Sequence, residues 1–254
     1  MAFGRLGADF GRMGAEAARY NVVAALGSDL VEAWDVSRSA RTDDGAGLIS
    51  ALVGLKSGYV LSAATTARPT YSATSFNGNP GLTFNGTANV MACTTAGLLS
   101  AVPDGAEAGE IWVLCSQAAL VADTGARYAM GYGAALNTGR VAGRAVASGV
   151  NRGRIATGDG SASQVRNETT IDLSTRHVIR ATIGATESVV YVDGVASAAL
   201  TVTPSTTASR VVMGANPAAS PGNFWEGVIA FVAITLPLST SKAASLSAHL
   251  MGRK

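Results

Sequence analysis

Glycoside hydrolysis needs two carboxyl groups facing one bond, roughly 5–10 Å apart. On an extended chain, side chains of one face recur at every second position. Glu107 and Glu110 are three apart, so a strand would send them to opposite faces. They read as solvated acids at a loop and a strand end. No E-x-D-x-x-E-like run occurs. Asp43-Asp44 stands before Gly45 and reads as a turn. His177 opens a Val- and Ile-rich run and His249 lies in a helical stretch. Neither has a Ser or Cys at triad spacing, so each reads as a structural or surface histidine. Cys93 and Cys115 fit no zinc or redox spacing. Buried free thiols are expected, with a disulfide left open if their strands are neighbours. Gly131-Tyr132-Gly133 and Gly158-Asp159-Gly160 do not join a strand to a helix, so they are hairpin material and not phosphate loops. No catalytic residue, metal ligand set or cofactor is expected, and the chain is not expected to be an enzyme.

Binding chemistry has more to draw on. Trp112, Tyr128, Tyr132 and Trp225 could stack on sugar rings. Trp112 reads as core. Trp225, beside Asn223 and Glu226, is the best exposed candidate, and Trp225 and Asn223 are therefore the candidate glycan contacts, against core or rim packing of the ring. Arg140, Arg144, Arg152, Arg154 and Arg166 lie close in sequence. They read as a solvated strand face or as a basic patch for an anionic glycan or another subunit. The net charge of +2 is too weak to argue for nucleic acid. The apolar runs are too short to span a membrane, and the first residues, with Arg5, Asp9, Arg12 and Glu16, lack the central apolar block of a secretory signal.

The amino terminus carries a seven-residue repeat. Phe3-Gly4-Arg5-Leu6-Gly7-Ala8-Asp9 is followed by Phe10-Gly11-Arg12-Met13-Gly14-Ala15-Glu16. On a helix, Phe3, Leu6, Phe10, Met13, Ala17 and Tyr20 share one stripe, and Arg5, Arg12 and Arg19 a second. Four glycines oppose an isolated helix, each by about 1 kcal/mol. Residues 1–26 are therefore expected to order against a partner, with Phe3, Arg5, Leu6, Phe10, Arg12 and Met13 as anchors; packing on the chain's own domain is the alternative. Heptad spacing also allows a homo-oligomer.

The remainder, residues 27–254, reads as one all-β domain. Leu30 to Val36 look like a first strand, and Arg38–Gly47 like a loop. Glu110–Cys115 has the near-continuous apolar character of a central strand. Asn77-Gly78, Asn85-Gly86 and Asp193-Gly194 are turn signals, because these residues tolerate positive φ. Ser239 or Thr240 caps a short helix over about 239–252. A dozen or more short strands and one terminal helix predict a two-sheet antiparallel jelly-roll sandwich.

Several segments, taken in order, carry a family likeness. Trp34-Asp35-Val36-Ser37 resembles the W-D-A-S opening of concanavalin A-like (LamG-type) jelly rolls of bacterial surface and phage proteins. Arg68-Pro69-Thr70-Tyr71 and Phe84-Asn85-Gly86-Thr87 follow at that family's usual distance. Val190-Tyr191-Val192-Asp193-Gly194-Val195 is similar to its V-Y-V-N/D-G hairpin. Met213-Gly214-Ala215-Asn216 and Phe224-Trp225-Glu226-Gly227-Val228-Ile229-Ala230 resemble its closing strands, and Leu238–Lys254 its terminal helix. Many relatives have acids where Asn85, Ala88 and Asn89 stand. A calcium ion there would lack charged oxygen ligands, so none is expected. The repeated arm resembles those preceding such domains in structural proteins of tailed phages. This likeness implies a virion protein: a head, neck or tail decoration or a short fibre.

The leading expectation is thus a non-enzymatic structural protein of a phage particle, held by residues 1–26 to capsid, neck or tail proteins. The alternative is a glycan-binding module for adsorption to a host surface, and a polysaccharide-degrading enzyme stands behind both.

Overall fold

A computed structural model describes residues 20–117, 125–147, 150–167, 172–173 and 175–254. The repeat residues Phe3, Arg5, Leu6, Phe10, Arg12 and Met13 lie outside the described residues.

Two nine-stranded antiparallel sheets face each other. The first runs β15 (Val195–Ala196), β14 (Glu187–Val192), β13 (Arg176–Ile183), β8 (Gly109–Gln117), β18 (Glu226–Thr235), β6 (Asn79–Asn85) and β5 (Thr70–Phe76). β1 (Leu30–Asp35) also pairs with β18, and β16 (Leu200–Thr201) with β14. β18 serves β6 with its first half and β1 with its second, and a register shift lies between Ile229 and Phe231.

The second sheet begins with β12 (Ser163–Asn167), β11 (Val150–Gly158), β10 (Gly139–Ala147) and β9 (Arg127–Gly133). It continues through β17 (Val211–Met213), β7 (Met91–Cys93), β4 (Val60–Ser62), β3 (Ile49–Val53) and β2 (Arg41–Asp43). The expected jelly-roll sandwich is what the chain forms. The segment expected as a loop at 38–47 contains β2, a fully exposed edge strand.

Two large apolar cores result, beside a small cluster of Tyr128, Val141 and Ala156. Between the sheets lie Trp34, Phe84, Met130, Tyr132, Ile179, Val192, Met213, Trp225 and Ile229, among others. Of the helices α1 (Val22–Leu26), α2 (Ala96–Leu99) and α3 (Thr240–Met251), α1 and α3 cover a second core on the outer face of the first sheet. This explains the continuous apolar run of β8. Ile111, Val113 and Cys115 face inward, while Trp112 and Leu114 face the helices. A strand covered on both faces has no polar alternation.

α3 follows its sequence closely. Ser239 accepts a hydrogen bond from the Lys242 amide, and Ala243, Leu246 and Leu250 form the buried stripe. Beyond it, the buried Arg253 guanidinium grips Asp35 of β1 at 2.9 and 3.0 Å. The sandwich also begins earlier than residue 27. Asn21 caps α1 through the amides of Val23 and Ala24, and Val22 and Leu26 are buried. Tyr20 stacks on His249 with ring centres 4.5 Å apart. Residues 20–26 thus belong to the domain, because an amphipathic turn there covers the outer core.

The turns divide by chemistry. Asn77-Gly78 and Asp193-Gly194 both adopt positive φ at each residue and close the β5–β6 and β14–β15 hairpins. Asn85-Gly86 does not close a hairpin. Asn85 Oδ1 accepts from the amides of Thr87, Ala88 and Asn89, and the chain leaves the first sheet there for β7 of the second.

Candidate functional site

The outer face of the first sheet presents alternate residues of three neighbouring strands. Register pairs Arg180 with Trp112, Val178 with Leu114, and Arg176 with Ser116. Arg180 also lies opposite Tyr191 of β14. α3 crosses this face and buries its middle at Leu114 and Val178. A hollow is left beside each end of the helix. Arg176 and Arg180, which mark them, are four residues apart on β13, about 13 Å along a strand.

The hollow beside the start of α3 is a trough of about 430 Å³, within the roughly 300–1,000 Å³ of ligand pockets. Trp112, Val178, Leu238 and Ala243 give it apolar surface, and Arg180, Tyr191, Thr240 and Ser247 give it polar groups. The Arg180 guanidinium lies 5.0 Å from the ring centres of both Trp112 and Tyr191. Glu110 holds it there. Its carboxylate accepts from Arg180 at 2.6 and 3.1 Å, from Trp112 Nε1 at 2.8 Å and from the Leu238 amide at 3.3 Å. Glu110 was expected to be solvated and is 3% exposed. Every lone-pair direction is spent on positioning, so it works as a clamp beneath the trough. Glu107, by contrast, stays exposed.

The second hollow, of about 490 Å³, is polar and lined by Ser75, Ser116, Gln117, Thr175, Arg176 and Lys254. Behind it runs a chain of side chains. Thr175 Oγ1 lies 2.9 Å from His177 Nε2, and His177 Nδ1 lies 2.7 Å from Asp193 Oδ2. The Val178 amide donates to Asp193 Oδ1, and Lys254 Nζ to Oδ2. Burial alone would raise the Asp193 carboxyl; the bonds from His177, Lys254 and Val178 outweigh it and hold it at about 2. His177 was expected to lack a nucleophile at triad spacing. The spacing rule asked for Ser or Cys and missed Thr175, two residues away on the same strand face.

The sequence-predicted contacts lie elsewhere. Trp225 is fully buried. It shares the inner face with Gly227 and Ile229 by strand alternation, so its ring cannot meet a glycan. Asn223 is exposed at φ 53°, but its amide braces a turn, donating to the Ala126 carbonyl and accepting from Asn216 Nδ2. The arginine run splits as well. Arg140 and Arg144, at 0% and 1% exposed, face between the sheets. Arg140 donates to Thr206 Oγ1 and the Gly105 carbonyl, Arg144 to the Gly125 carbonyl. Neither belongs to a solvated patch, because alternation along β10 turns them inward with Ala142. Cys93 and Cys115 are buried free thiols on opposite sheets, and burial pushes the Cys115 thiol up. Among the described residues there is no group of three acids, cysteines or histidines placed to hold a metal, and no helix is long and apolar enough to cross a membrane.

No family model matches the chain, and no curated protein matches it in sequence. Solved structures do. An arabinofuranosidase complexed with arabinofuranosyl-α-1,2-xylobiose superposes with a TM-score of 0.66 at 12% identity, over 92% of this chain and 65% of that one. The chain thus spans about two thirds of that enzyme's length. Domain 4 of AbnA, an extracellular arabinanase from Geobacillus stearothermophilus in complex with arabinotriose, gives 0.54 at 13%, over 86% of this chain and 98% of that domain. The enzymatically active domain of tailspike protein 2 of bacteriophage CBA120 gives 0.50 at 14%, over 72% and 29%. At these identities the likeness shows the fold alone. It still overturns the expectation of a purely structural particle protein, because the chains sharing this sandwich over most of its length include arabinofuranosidases and an arabinotriose-bound domain, which fit the glycan-binding alternative better. What the comparisons establish is a β-sandwich of the architecture found in glycosidases and their associated domains.

Proposed function

We propose that this chain is a non-catalytic glycan-binding module whose binding surface is the outer face of the first sheet. The observation that carries this is the trough at Trp112, Arg180 and Tyr191. It is preformed: Glu110 fixes Arg180 between the buried Trp112 ring, which forms its floor, and the half-buried Tyr191 ring, which is the aromatic surface left for a ligand. Sugars present flat C–H faces and hydroxyl edges; aromatic surface meets the first and fixed polar groups meet the second. The arabinotriose-bound domain supports the reading, since it matches the chain over nearly its whole length. The acid beside the trough is fully committed to Arg180, Trp112 and Leu238, which favours binding over hydrolysis.

The setting follows as part of the same proposal. The seven-residue repeat in residues 1–26 supports mounting on a phage particle through capsid, neck or tail proteins, with a host-surface glycan as the target. The phage tailspike domain among structures of this fold agrees with that setting.

The test is a glycan array followed by titration calorimetry with the best oligosaccharide. Tyr191→Ala removes one wall of the trough and a contact worth about 1 kcal/mol. The expected outcome is a roughly fivefold rise in Kd with an unchanged melting temperature. Silence on the array, or undiminished binding by the variant, contradicts the proposal.

A further inference from the structure

The polar hollow at the far end of α3 differs in kind from the trough. We infer that it holds the carboxylate-bearing unit of an acidic glycan; this rests on the glycan-binding reading and names the sugar class.

Two observations point to a ligand. First, Ser75 Oγ and Gln117 Oε1 are buried and have no hydrogen-bond partner. Gln117 is 4% exposed, and its Nε2 is already spent on the Glu226 carbonyl. Its Oε1 is therefore an acceptor with nothing donating to it, in a wall that faces a cavity. A buried polar atom left so costs about 1–3 kcal/mol. A sugar hydroxyl would satisfy it.

Second, Arg176 has no ion-pair partner among the described residues. Its guanidinium lies 5.6 Å from the Phe76 ring centre, which steadies the plane without using its N–H groups. A planar fork so held matches a carboxylate in two parallel hydrogen bonds. The other cation, Lys254, is paired with Asp193. Among the lining side chains Arg176 thus carries the positive charge that no ion pair uses, and its fork matches a single carboxylate. Ser116 and Thr175 add hydroxyls, and Thr175 is oriented by His177, which Asp193 orients in turn. One carboxylate flanked by hydroxyls is the pattern of a uronic acid.

The experiment titrates the full chain with trigalacturonic acid and, separately, with neutral galactotriose, at pH 7 and low salt. The expected result is at least tenfold tighter binding of the acidic trisaccharide. Arg176→Gln is a partly exposed site and should melt with the wild type. It should weaken trigalacturonic acid fivefold or more and galactotriose less than twofold. Gln117→Met, which lacks the acceptor, should weaken trigalacturonic acid as well. Equal affinity for the two sugars, or equal loss of both in Arg176→Gln, overturns the acidic-sugar assignment while leaving glycan binding intact. Failure of both sugars and of the whole array removes the glycan reading with it.

Discussion

The clamp under the trough makes a quantitative prediction. Glu110→Ala removes the acceptor of four hydrogen bonds and leaves Arg180, Trp112 Nε1 and the Leu238 amide without their partner. Breaking a buried ion pair by deleting one member costs about 3–5 kcal/mol. Arg180 keeps about a fifth of its side chain in water and retains its two aromatic neighbours, so the low end applies, about 3 kcal/mol. For a domain of this size each kcal/mol moves Tm by roughly 2–4 °C, giving a fall of about 6–12 °C. Urea denaturation should show the loss in midpoint with an unchanged slope. Glu110→Gln/Arg180→Met should lose less than the sum of its single variants, because removing both charges leaves none buried alone. A loss under about 1 kcal/mol for Glu110→Ala, or strict additivity in the double variant, refutes the clamp and with it the preformed trough.

Two further perturbations probe the frame. His249 is lowered to about 4, by burial first and then by Arg253 and Arg38. The unfolded chain takes up its proton near 6.5 and the folded chain only near 4, so this stability is present above pH 6.5 and is lost as pH falls to about 4. His249 is buried, so the effect is on the order of 3 kcal/mol, and His249→Gln should flatten that part of the pH–stability curve. Gly143 sits at the register shift between β9 and β10, where an added Cβ would lie 2.1 Å from the Arg127 carbonyl oxygen and 2.7 Å from Tyr128 Cα. Backbone cannot yield as a side chain can, so Gly143→Ala should destabilise by about 2–4 kcal/mol in urea titration.

What was legible in the sequence is what local physics dictates. Asn77-Gly78 and Asp193-Gly194 reveal hairpins because few residues tolerate positive φ. Ser239 with Ala243, Leu246 and Leu250 reveals α3 through cap and period. The run Glu110–Cys115 reveals a strand covered on both faces. The site was less legible because it is made by register. Arg180 meets Glu110, seventy residues away, only through the pairing of β13 with β8. Alternation told that Arg140 and Arg144 share one face, and that Trp225 and Ile229 share another. It does not tell which face of each sheet the partner layer covers, so the arginines read as solvated or as a basic patch, and the indole as an exposed candidate against core or rim packing. The V-Y-V-D-G segment did carry Tyr191 and Asp193, but as a fold signal. Thr175 gave no signal of its own, since threonine at a strand start is ordinary.

On the proposed reading, glycan binds the outer face of the first sheet. Amide chemical-shift mapping during titration with a bound oligosaccharide tests it directly. Shifts are expected to cluster at Arg176–Arg180, Ser116–Gln117, Tyr191–Gly194 and the exposed turns of α3. Shifts confined to the outer face of the second sheet, or their absence at saturating sugar, would contradict it.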